Sequence, residues 1–125
     1  MKLEVINDRG FHTLDIVMDK GELKQFKIPV ELRVHEIERL LEAQHKLEKL
    51  EQESVSEDGT KQIRLYWGYI YAQLEVIFKH FHPEIDKDYL KLYLLPADAI
   101  KILAFFAQNR YIEKEVLANT KKKLN

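Results

Sequence analysis

The chain has 125 residues, and 33% of them are charged with signs that nearly cancel, for a net charge of −1. That balance excludes the broad basic footprint with which proteins hold nucleic acid, so no nucleic-acid partner is expected. There is no Cys, which removes disulfides, thiolate nucleophiles and Cys-based zinc sites together.

The length suits one domain, taken as residues 1–125, and a hydrophobic content of 46% is ordinary for a chain with one buried core. No apolar run approaches the roughly 20 residues that span a bilayer. The opening MKLEVINDRG has no apolar signal-peptide core. A cytoplasmic protein with no membrane partner is expected.

The period-two pattern comes first. Lys2–Ile6 alternates, and Asn7-Asp8-Arg9-Gly10 supplies turn residues. Phe11–Met18 puts Leu14, Ile16 and Met18 on one face and Val17 on the other. His12 is read onto the polar side. After a turn at Asp19-Lys20-Gly21, Leu23–Ile28 alternates again. The pattern predicts a three-stranded antiparallel meander over 1–29, with one apolar face that needs a cover.

Past Pro29 the period becomes 3.6. A first helix is predicted from Glu31 or Val34 to Gln52, with Val34, Ile37, Leu41 and Gln44 on its inner stripe and Leu40, Leu47 and Leu50 widening it. Its outer face is charged, and Glu42 before Lys46 has the favourable i,i+4 order. The polar loop ESVSEDGT follows, with Thr60 as cap. The next helix places Ile63, Trp67, Ile70, Leu74, Ile77, Phe78 and Phe81 on one face and ends at His82-Pro83. Gly68 lies mid-helix, a cost that close packing against another backbone would offset. A short segment, Tyr89–Leu95, leads to Pro96 and a last helix.

The last helix carries two apolar stripes. Ile100, Leu103 and Ala107 are assigned to the core with Ile63, Trp67, Ile70, Leu74, Ile77, Phe81, Ile37 and Leu41. Ile102, Phe105, Phe106, Ile112 and Val116 are assigned, with Tyr69 on the preceding helix, to an interface with a partner or a second copy. The alternative is that the N-terminal sheet covers that second stripe. The fold class is therefore α+β: a three-stranded meander, then a helical part over 30–120 with three long helices and one short one, then a polar tail at 121–125.

No set of residues stands out as catalytic, and no cofactor or metal is expected. His80-x-His82 with Glu84 is the nearest approach to a metal cluster, but i and i+2 on a helix point apart. His35 and His45 are almost three turns apart. Glu84, Asp86 and Asp88 are explained by capping and the helix dipole rather than by acid–base chemistry.

Of thirteen aromatic residues, eleven lie between Tyr66 and Tyr111. The passage FHPEIDKDYLKLYLLPADAIKIL, the preceding Phe26-Lys27-Ile28-Pro29 and the helix ending Val76-Ile77-Phe78 resemble the small tail assembly chaperones of long-tailed bacteriophages and prophages. The resemblance covers most of the chain as a pattern of apolar and acidic positions. It implies a non-enzymatic protein of the bacterial host cytoplasm that binds the tape measure protein and, beyond it, tail tube subunits. The opposing reading is a small homodimeric regulatory or structural interaction module. Lys121-Lys122-Lys123 suits either a programmed frameshift site of the kind that family uses or an ordinary charged terminus.

Overall fold

A computed structural model describes residues 10–18, 21–53 and 59–108. Two strands, β1 (Phe11–Val17) and β2 (Leu23–Pro29), pair antiparallel with Leu14 opposite Phe26. Gly21, at φ +76°, takes the left-handed turn conformation that a side chain disfavours. The alternation is legible in the burial: Ile16, Met18, Phe26 and Ile28 face the core, while Val17 and Leu23 face water. His12 shares the inward parity of Leu14 and Ile16. The expectation that it lies on the polar side is therefore corrected: its ring packs edge-on against Phe105 at 5.1 Å. The predicted first strand, Lys2–Ile6, lies outside the described residues, so the sheet described is two-stranded.

Four helices follow: α1 (Val34–Gln52), α2 (Gly59–Lys79), α3 (Lys87–Tyr93) and α4 (Pro96–Gln108). The α+β class stands. Two of these helices are long, at 19 and 21 residues, rather than the three expected, and α4 is described over 13 residues. Thr60 does not cap α2 from outside, because the helix already includes Gly59. Among the described residues α2 is the hub: α1, α3, α4 and β2 all pack on it. Leu74, Ile77 and Phe78 are wholly buried along its second half, and Phe26 of β2 meets Phe78 edge-on at 5.4 Å.

The inner faces of α1 and α4 differ from those predicted. On α1 the buried positions are Glu36, Leu40 and Ala43, with Leu47 and Leu50 half-buried, whereas Leu41 is 52% exposed. This stripe keeps the three-and-four spacing but is rotated by about one residue, because Glu36 turns inward to a partner on the C-terminal side of α2. On α4 the buried residues are Ala99, Ile102 and Phe106. Ile100 is 41% exposed and Ala107 also faces water. At the ends of α2, Ile63 and Phe81 are likewise exposed rather than in the core. Ile70, Leu74 and Ile77 are core residues as expected, and Ile37, Trp67 and Leu103 pack against the core half-buried.

Polar groups fix the helix ends. Arg33, before α1, donates its N–H to Glu36 Oε1 at 2.8 Å, the reverse half of a capping box. Asp86 caps α3 by accepting from Tyr89 N–H at 2.8 Å. Tyr71, buried on α2, donates its hydroxyl to the Leu94 carbonyl at 2.6 Å and so ties the end of α3 to the hub. Gly68 has no backbone packed against it: an added Cβ would meet nothing within 4 Å.

These features set three expected outcomes. Leu74→Ala should destabilise by roughly 2–5 kcal/mol in urea unfolding, because it removes fully buried methyls and leaves a cavity, whereas Leu41→Ala should cost less than about 1 kcal/mol. Gly68→Ala should stabilise by about 0.5–1 kcal/mol in the same assay, since α2 gains propensity without a clash. Burial, with a smaller push from Asp98, raises the Tyr71 phenol above its ordinary value. Its contribution to stability is therefore complete below about pH 10 and lost as pH rises through the raised value. Tyr71→Phe should flatten that alkaline loss of stability while lowering stability at neutral pH through the missing hydrogen bond to Leu94.

Candidate partner-binding surface

Several imidazoles and carboxylates hydrogen-bond across elements of the fold. His80 Nδ1–H donates to Glu36, at 2.9 Å from Oε1 and 3.1 Å from Oε2. His82 turns the other way, and its Nε2 accepts the backbone N–H of Lys27 in β2 at 3.1 Å. Its Nδ1 is 3.9 Å from Glu84. Both rings thus carry a proton on Nδ1, but they serve different elements: His80 donates to α1, and the unprotonated Nε2 of His82 accepts from β2. No group of three metal-ligating side chains converges among the described residues. His35 and His45 are exposed. Asp86 is a helix cap, and Glu75 accepts the Lys87 N–H at the start of α3.

Aromatic side chains of α2 build the surface. Tyr66 and Trp67 are half-buried with their rings edge-on at 5.3 Å, and Trp67 lies 6.3 Å from the Tyr71 ring. Beside them a cleft of about 460 Å³ opens between the first half of α2 and the α3–α4 junction. Ile63, Trp67, Leu92, Leu95 and Pro96 line it, with Arg64 and Lys91 at its edge. Ile63 is 61% and Leu92 69% exposed, so the large side chains around this cleft stand in water. A smaller apolar recess continues from Ile63 and Trp67 toward Leu50 at the end of α1. Trp67 is the ridge between the two.

None of the described residues assigned to an interface from the sequence lines this cleft. Ile102 and Phe106 are core residues at 7% and 3% exposure, because α4 lays that stripe on the hub. Phe105 is half-buried against His12, so the sheet covers part of the second stripe. Ile112 and Val116 lie outside the described residues, as do Lys121, Lys122 and Lys123. Tyr69 is half-buried and lines a groove between α1 and α2. The outward stripe of α4 carries Ile100, Ala104 and Ala107 beside Leu41 of α1.

Sequence reasoning missed the Trp67 cleft because Ile63 and Trp67 fall on the same stripe as Leu74 and Ile77. One clue was available: α2 is longer than α3, so the short segment after Pro83 cannot cover its whole apolar face. Among the described residues no helix is long and apolar enough to cross a membrane. Compared with known proteins, the chain matches no family model, no curated sequence and no solved structure.

Proposed function

We propose that the chain is a non-enzymatic protein-binding module of phage or prophage tail morphogenesis, acting in the cytoplasm of the bacterial host. In this reading it holds an amphipathic segment of the tape measure protein, and in turn tail tube subunits, before the tail polymerises. The observation that carries the binding half is the apolar cleft at Trp67. Exposed Ile63 and Leu92 stand around it, and the same helix is anchored in the core by wholly buried Leu74, Ile77 and Phe78. An amphipathic helix laid there would bury its own apolar face and theirs, the usual helix-in-groove mode. The assignment to tail assembly rests on the sequence resemblance alone.

A second reading, a homodimeric interaction module, is favoured by the outward strip of Leu41, Ile100, Ala104 and Ala107. Sedimentation separates it from the first: a stable dimer abolished by Leu41→Asp with Ile100→Asp would establish it.

The test of the first reading is titration of the purified chain with helical fragments of the tape measure protein from the same genome, read by the emission of Trp67, the only Trp. Ile63→Asp with Leu92→Asp should weaken binding at least about tenfold, about 1.4 kcal/mol, with an unchanged circular dichroism spectrum. Fragments that leave Trp67 emission unmoved, or bind the variant as tightly, would sink the proposal.

A further inference from the structure

The apolar cleft does not end at α3. Arg64 and Lys91, on its edge, also line a neighbouring groove of about 430 Å³ between α1, α2 and the start of α3. Five cations line this groove: Arg39 and Lys46 from α1, Arg64 from α2, Lys87 and Lys91 from α3. A single carboxylate, Glu42, joins them, and it is held by Lys46 at 3.2 Å. Among the described residues Arg39, Arg64, Lys87 and Lys91 make no side-chain ion pair. A chain of net charge −1 has thus gathered a local excess of positive charge in one concave place. The floor is small and apolar: Ala43, Gly68 and Ala72. A Cβ at Gly68 would meet nothing within 4 Å, so the floor there is open.

We propose that this groove receives side-chain carboxylates from the same partner segment that fills the Trp67 cleft, so that the partner is an amphipathic helix with an acidic flank. The inference rests on the partner-binding reading of the cleft. Two features favour carboxylates strung along a helix over a compact phosphate. First, the cations form an extended array. Arg39 and Lys46 are seven residues apart on α1, about 10 Å along the axis, and Lys87 and Lys91 are one turn apart on α3. Carboxylates repeating every one or two turns match that spacing. Second, compact phosphate sites draw on converging backbone N–H groups. At the start of α3 two of those donors are taken: Lys87 N–H by Glu75 and Tyr89 N–H by Asp86. Shared lining by Arg64 and Lys91 makes the apolar and basic surfaces continuous, as one helix with two faces requires.

The test uses two designed helical peptides of about 18 residues, five turns, with the same Leu face and a polar flank of either Glu or Gln. A single-stranded oligonucleotide and inorganic phosphate serve as competitors. Trp67 emission reports occupancy of the cleft. The Glu peptide should bind at least about tenfold tighter than the Gln peptide, and the gap should shrink as salt screens it. Arg39→Glu with Lys87→Glu, neither of which lines the apolar cleft, should erase the gap and leave binding of the Gln peptide unchanged. Lys87→Glu sits in the first turn of α3, where an acid suits the helix dipole. As a second variant, Gly68→Leu should weaken the Glu peptide by filling the floor. If both peptides bind equally, the acidic inference fails while the cleft reading stands. If neither moves Trp67, the cleft reading itself fails and the inference with it. If the oligonucleotide or phosphate displaces the Glu peptide at equal charge, the groove is a phosphate site and the proposal is overturned.

Discussion

The rest of the structure depends on burying the second half of α2. Leu74, Ile77 and Phe78 have no exposure at all, and no other helix could shield them alone. Each such side chain taken from water is worth roughly 1.5–3 kcal/mol, set against the entropy of ordering the chain around it. The elements that supply the cover gain their own order from it. A two-stranded sheet is marginal in water by itself, and β2 leans on α2 through Phe26 and Phe78. A seven-residue helix does not persist alone. α3 persists because Leu90 is buried and Tyr71 grips the Leu94 carbonyl.

The positions of the described elements were legible in the sequence, as were the inner faces of the strands and of the second half of α2, but the inner faces of α1 and α4 were not. The change of period at Pro29, the end of α1 at Gln52 and the proline at the start of α4 each rest on local physics. Strand alternation and helix propensity act within a few residues. Which stripe of a helix turns inward is decided by what lies across from it. On α1 both Ile37–Leu41–Gln44 and Glu36–Leu40–Ala43 obey the helical spacing. The second is chosen because Glu36 finds His80, 44 residues away. On α4 the predicted stripe of Ile100, Leu103 and Ala107 gives way to Ala99, Ile102 and Phe106, with Leu103 half-buried beside them. Hydrophobic bulk is a poor guide where a small residue such as Ala99 fits the fully buried position.

Buried polar groups then narrow the packing that apolar surfaces alone leave loose. Glu36 is nearly buried, yet its two oxygens are met by the Arg33 amide and the His80 ring. A carboxylate without them would cost several kcal/mol. The pair therefore favours one register of α1 against the end of α2. His82 does the same for the sheet through the Lys27 amide, and Glu75 for α3 through the Lys87 amide. These bonds explain why the histidines and acids after Phe78 cluster in sequence. They sit where α1, β2 and α3 all meet the end of the hub. Among the described residues the Nε2 of His12 is the exception, buried with no hydrogen-bond partner in a ring that meets Phe105 edge-on.

The opposite half of α2 follows another logic. There Ile63 and Leu92 stay in water, and among the described residues Arg39, Arg64, Lys87 and Lys91 make no side-chain ion pair. Neither serves the core: Ile63 and Leu92 bury little, and Arg39, Arg64 and Lys91 hold no helix end. Exposed apolar surface invites association, and like charges gathered in one groove repel one another. Either cost alone would be a common surface irregularity. Here both fall on the same stretch of α2 and α3 and share Arg64 and Lys91. A hydrophobic segment with an acidic flank would relieve the two costs at once, since its burial would also strengthen the attraction between charges by excluding water. The buried half of α2 holds the fold, which leaves the other half free of that role.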